Sequence, residues 1–148
     1  MYQRILVPLD GSNISEAVLP HAENLARALN AEIVLLHVDV SPAPTFDGHE
    51  SPLAPQPVEV KIMHTDELNY LKTVCANLER EGLRATYFLR DGVVADKILE
   101  VAEIEQANLI AMSTHGRTGM LRLLLGSVTE QVVHHSKIPV LLIRPPGE

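Results

Sequence analysis

Tryptophan is absent from this chain of 148 residues, which also has only two phenylalanines and three tyrosines. A core must therefore be packed from Ile, Leu, Val and Ala, which suits a parallel sheet covered by helices. There is one cysteine, Cys75, so an internal disulfide is excluded. It falls in line with Leu68, Leu71 and Leu78 at helical spacing, which predicts a buried core thiol rather than a nucleophile. Lys and Arg total 12 against 19 Asp and Glu, a formal net charge of −7 without a basic cluster. Sequence-independent nucleic-acid binding draws most of its affinity from Lys and Arg, so nucleic acid is not expected as a partner. The same sign argues against a membrane surface, and no apolar run approaches the roughly 20 residues of a spanning helix. MYQRILVPLDGS leads straight into a strand, so we expect no secretory signal and, with a single cysteine, a cytoplasmic protein.

Several motifs are missing too. The G-x4-G-K-[ST] loop of fast phosphoryl transfer does not occur, nor the tightly spaced G-x-G-x-x-G of dinucleotide sites. There is no H-x3-H pair or Cys/His cluster, so structural zinc is not expected. His134 and His135 are adjacent and would point in different directions from a helix.

What is present is an apolar, foldable chain. At 46% apolar and 21% charged it can bury a sizeable core, and its length fits one domain over residues 1–148. Ile5-Leu6-Val7-Pro8-Leu9 reads as a buried strand stopped by the turn Asp10-Gly11-Ser12. Residues 13–30 carry a helical pattern, with Pro20 expected to kink it. The run IVLLHV within 31–40 is a second strand. Residues 41–57 hold five prolines and little periodicity, an irregular excursion. A helix follows over about 58–81, stopped by Gly82. Strand three is expected at 83–89, a helix at about 93–106, strand four at 109–112 and strand five at 138–143. Strict alternation of apolar strands and helices predicts an α/β fold: a doubly wound five-stranded parallel sheet with helices on both faces. The expected strand order is 3-2-1-4-5, with the winding reversing between strands 1 and 4. Ligands in such sheets bind beyond the carboxyl ends of the strands at that reversal.

Residues 109–133, LIAMSTHGRTGMLRLLLGSVTEQVV, concentrate the chemistry. An apolar strand leads into a polar, glycine-bearing loop. Gly126-Ser127 then opens a helix, and Ser127-Val128-Thr129-Glu130 has the form of a capping box. Strand, glycine loop and helix N-terminus together suit an anion, because free N–H groups and a partial positive charge meet a closely approaching backbone. The same features also serve merely to turn a chain and cap a helix. Read for function, the stretch holds the phosphates of a nucleotide.

The spacing adds a resemblance. Ser113, Gly116, Gly126 and Ser127 form S-x2-G-x9-G-S, which is similar to the G-x2-G-x9-G-[S/T] signature of nucleotide-binding universal stress proteins. Ser113 stands where that pattern has its first Gly. The resemblance extends through ILVPLDGS, IVLLHV and the closing PVLLIRP, nearly the whole chain. It implies a Rossmann-like sheet of the adenine nucleotide α-hydrolase-like type, binding ATP, or AMP or ADP, with Mg or Mn held through the phosphates.

At matching positions the resemblance implies roles. Asp10 would accept from ribose hydroxyls or help place a metal; alternatively it only binds its own turn. Pro8 and Leu9 would wall the adenine, Val38 would offer backbone N–H and C=O to the base edge, and Met112 would pack on base or ribose; all four also suit strand packing. Ser113 marks the end of strand 4, beside the crevice. Gly116, Arg117, Gly126, Ser127, Val128 and Thr129 would form the phosphate clamp, with Arg117 either supplying charge or simply solvated. His115 would touch phosphate or only turn the loop.

No general base is identifiable beside the glycine stretch, so no catalytic residue is assigned and hydrolysis is expected to be slow or absent. Strand five would be an apolar sheet edge, which invites a covering partner. The resemblance implies a homodimer through residues 138–144 and a stress-response or signalling role. The alternative is a dimeric scaffold that recognises a protein and binds no nucleotide. An enzyme of the α-hydrolase type would need a catalytic set that is not visible.

Overall fold

A computed structural model describes residues 1–40, 57–114 and 126–146. In chain order these form β1 Arg4–Pro8, α1 Asn13–Glu16, α2 Leu19–Leu29, β2 Glu32–Asp39 and α3 Pro57–Arg80. Then come β3 Ala85–Asp91, α4 Val94–Ile104, β4 Leu109–Ser113, α5 Ser127–His135 and β5 Val140–Ile143. The five strands are parallel in the order β3-β2-β1-β4-β5, as expected. Side chains alternate across the sheet. Ile5, Val7, Ile33 and Leu35 turn to one face, under Ala22 and Ala26 of α2 and Leu71 and Leu78 of α3. Leu6, Val34, Leu36 and Ile110 turn to the other, under Ile98 and Val101 of α4 and Val132 of α5. The aliphatic core foreseen from the missing aromatics is thus split by the sheet. Cys75 is buried, its thiol donating to the Ala85 carbonyl at 3.4 Å, and burial pushes its pKa up.

At the lower end of the sheet, Asn108 sets the β1–β4 register. Its Oδ1 accepts from the backbone N–H groups of Gln3 at 2.8 Å and Arg4 at 2.9 Å.

Boundaries depart from expectation in four places. Pro20 does not kink one long helix. It sits in the first turn of α2, where its missing N–H is not needed, and the chain breaks at Ala17 and Val18 between two helices. β3 runs over Ala85–Asp91 rather than 83–89. Gly82, at a left-handed φ of 82°, closes α3, and the Leu83 N–H donates back to Leu78 O at 3.1 Å, so buried Leu83 belongs to the helix cap. α4 ends at Ile104, two residues early, before Gln106 at a φ of 54° turns the chain into β4. β5 starts at Val140, because Ser136 Oγ accepts from Ile138 N–H and donates to Ile138 O, curling the approach. Of the proline-rich excursion, residues 41–56 lie outside the described residues, and Pro57 opens α3. No described helix is long and apolar enough to cross a membrane.

Candidate functional site

β1 leads outward to β2 on one side, and β4 continues the sheet on the other. Where they part, above the carboxyl ends of β1, β2 and β4, a cavity of about 260 Å³ opens between α1, α4 and α5. That is near the lower end of small-ligand pockets, about 300 Å³. Eight of the predicted residues line it: Pro8, Leu9, Asp10, Val38, Met112, Ser113, Val128 and Thr129. Gly126 and Ser127 stand at the head of α5 without lining it. Gly116 and Arg117 lie outside the described residues, as does His115.

Sequence reasoning missed six lining residues: Ile14, Ser15, Leu36, Val40, Val94 and Ile98. Val94 and Ile98 are one helical turn apart and so share a face of α4. Their spacing signals a buried face, but not whether that face meets core or ligand.

The polar end of the cavity is built by three turns. Asp10 follows β1, and its Oδ1 accepts from the Ser12 N–H at 2.8 Å and the Ser12 hydroxyl at 2.5 Å. The turn role anticipated for Asp10 is therefore present. Ser12 in turn caps α1, accepting from Ser15 N–H at 3.1 Å. Ser113, at the end of β4, donates its hydroxyl to the Ser15 carbonyl at 3.2 Å, tying β4 to α1 across the mouth. A glycine at this position would have no such bond to make.

The third turn starts α5, and here the capping box is corrected. Gly126 is the N-cap, Ser127 is the first helical residue, and no side chain among the described residues caps the helix. The first intrahelical bond runs from Glu130 N–H to Gly126 O at 2.9 Å. The N–H groups of Ser127, Val128 and Thr129 precede it and have no intrahelical acceptor. Thr129 is 1% exposed, faces the cavity, and its Oγ1 has no hydrogen-bond partner among the described residues. A buried hydroxyl left unpaired costs about 1–3 kcal/mol, and of the buried polar atoms without a partner among the described residues only that of Thr129 lines the cavity. The opposite walls, Leu36, Val38, Ile98 and Met112, are apolar and buried. The crevice thus combines apolar lining with the Thr129 hydroxyl and the head of α5. Among the described residues no three His, Cys, Asp or Glu side chains gather as metal ligands.

Behind Asp10, on the other face of the sheet, lies Tyr70 of α3. Burial, then the charges of Glu16 and Asp10, hold its phenol protonated well above the ordinary 10.0. A raised folded-state value means stability that is full below pH 10 and falls as pH rises past it. Urea unfolding between pH 9 and 11.5 should show this decline, and Tyr70→Phe should flatten it. Parallel curves for the two proteins would remove Tyr70 as its source.

The family model for the universal stress protein family matches residues 1–144. The chain belongs to that family. It is 35% identical to universal stress protein MJ0531 of Methanocaldococcus jannaschii over 147 residues, covering 99% of this chain and 84% of the relative. Among solved structures, MJ0577 of the same organism superposes with a TM-score of 0.80 at 30% identity, covering 100% of this chain and 99% of that one. A universal stress protein from Archaeoglobus fulgidus solved in complex with dAMP shares the fold at a TM-score of 0.66 and 22% identity, over 96% and 98% of the two chains. The universal stress protein fold is therefore common to this chain and the two solved structures, and the crevice described above lies within it.

Proposed function

We propose that this universal stress protein binds ATP, or another adenine nucleotide, in the crevice at the sheet switch point. The observation that carries the reading is the buried Thr129 hydroxyl, unpartnered among the described residues, beside the open N-terminus of α5. Donors so placed suit phosphate oxygens. Leu36, Val38 and Met112 supply the apolar slot for the base, and Asp10 faces the ribose. Gly126, Ser127 and Val128 complete the phosphate clamp, with Gly116 and Arg117 joining it from the preceding loop. Mg or Mn enters with the phosphates, offsetting their charge near Asp10. The adenine nucleotide held by the A. fulgidus relative supports the same class of ligand.

No general base is assigned in this reading, and the activity is taken as binding, with hydrolysis slow or absent. The chain acts as one domain in the cytoplasm, reporting adenine nucleotide to a stress-response pathway. It works as a homodimer through residues 138–144. Among the described residues β5 pairs only with β4 and forms a sheet edge with four half-buried aliphatic residues, which a second copy can cover by an isologous contact. Light scattering should give twice the 16.3 kDa chain mass; a monomer at micromolar concentration would refute the dimer.

Gly126→Val tests the clamp. The backbone there, φ −55° and ψ 157°, is open to any residue, so the fold should stand. The side chain enters the place of a phosphate, and ATP affinity should fall by at least about 100-fold, roughly 2.7 kcal/mol. Unchanged affinity in a folded variant would show that the clamp is misplaced.

A further inference from the structure

We infer that His37 is a positioning residue: its ring takes the Leu9 carbonyl and thereby leaves the Val38 N–H facing the crevice. The inference deepens the nucleotide reading above and rests on it for the identity of the ligand.

The argument starts from the ladder. Glu32 N–H donates to Gln3 O at 2.8 Å, and β1 and β2 run in register from Arg4↔Glu32 to Pro8↔Leu36. In a parallel pair the bonds recur at even spacing, every second residue facing the same neighbour. Stepping by two from Gln3 and Glu32 brings the Leu9 carbonyl opposite the Val38 N–H. The other half of that rung is present, since Leu9 N–H donates to Leu36 O at 2.8 Å. Yet among the described residues the bond from Val38 N–H to Leu9 O is not made. The Leu9 carbonyl instead lies 2.9 Å from His37 Nδ1.

A carbonyl can only accept, so Nδ1 carries the proton, in the neutral ring and in the charged one alike. The ring's other nitrogen, Nε2, lies 3.4 Å from Glu67 Oε1 on α3. The ring thus lies between β1 and α3. The opposite sheet neighbour does not claim the Val38 amide either. Ile33 N–H donates to Arg84 O, on the β3 side, so by alternation the amides of Leu35 and His37 also face β3, and that of Val38 does not.

Val38 lines the crevice beside Leu36, Ile98 and Met112. An N–H donor in an otherwise apolar wall is what a ring nitrogen of a base can use for orientation. His37 keeps that donor available by holding the Leu9 carbonyl to the side, out of line with the Val38 N–H. Without it, the Leu9 carbonyl and the Val38 N–H would close the next rung, and the wall would lose that donor.

Three variants separate this role from ring packing. In His37→Asn the side-chain amide nitrogen occupies the place of Nδ1 and can still hold Leu9. His37→Phe keeps the ring and loses the donor, and His37→Ala loses both. Hydrogen exchange by NMR on the full chain without nucleotide reads the Val38 amide directly. It should slow about tenfold in His37→Ala and His37→Phe, the worth of one amide hydrogen bond, and stay unchanged in His37→Asn. ATP affinity should drop about tenfold in His37→Ala and His37→Phe and be retained in His37→Asn. Equal Val38 exchange in wild type and His37→Ala would overturn the inference. So would restoration of ATP binding by His37→Phe and not by His37→Asn, which would make the ring a packing element. If Val38 exchange follows the expected pattern while even the wild type binds no ATP, the positioning role stands and the ligand reading fails.

Discussion

Thr129→Val should weaken ATP binding by about 10- to 150-fold while leaving the protein as stable as the wild type or more so. The two effects have one cause. The Thr129 hydroxyl is 1% exposed and has no partner among the described residues. A hydrogen bond to a charged phosphate contributes about 1.5–3 kcal/mol, and that is what the variant loses on binding. In the free protein the same hydroxyl is a buried polar group without compensation, and its removal should raise stability by about 1 kcal/mol. Val matches Thr in shape and β-branching, so the first turn of α5 has no reason to refold. Calorimetric titration and a thermal melt without nucleotide check the two halves. Loss of affinity and stability together would make Thr129 an ordinary core residue and remove the main support for the phosphate clamp.

The largest stability effect is expected from Ile110→Ala. Ile110 is fully buried in β4, which lies between β1 and β5, and it packs with Leu6, Val34 and Val132. Both faces of the sheet around it are covered, so the gap cannot be filled by a small shift of one loop. Truncation of such a residue costs about 2–5 kcal/mol, from lost transfer free energy and the residual cavity. Because Met112 lies on the same face two residues on, the crevice should loosen as well. Urea unfolding measures the loss. A change below about 0.5 kcal/mol, the range of surface substitutions, would contradict the packing described here.

The architecture was legible because each strand is a continuous apolar run and each helix repeats its apolar residues at helical spacing. With both faces of the sheet buried and right-handed crossovers, few parallel orders fit, and the expected one, β3-β2-β1-β4-β5, is what forms. Boundaries were less legible where an apolar residue serves a cap. Leu83 looks like the start of a strand but seals α3. Ser127 looks like an N-cap, yet Gly126 takes that place, and the backbone conformation that decides it leaves no trace in composition. In the site, Asp10, Ser113 and Thr129 could be found because polar residues at strand and helix ends stand out. Ile14, Val94 and Ile98 could not, since an apolar residue facing a cavity and one facing the core obey the same periodicity. The role of His37 depends on strand register and on one rung of a ladder, which becomes visible only when β1 and β2 are placed side by side.

The central claim is that the crevice holds an adenine nucleotide by its phosphates. Calorimetric titration of nucleotide-stripped protein with ATP and magnesium, with AMP for comparison, tests it most directly. The account predicts saturable binding of about one ATP per chain and weaker binding of AMP, because α5 directs its free N–H groups and the Thr129 hydroxyl at the phosphate end. No heat with ATP, and no competition by any adenine nucleotide, would contradict it and leave the glycine stretch as a well-ordered turn at the head of a helix.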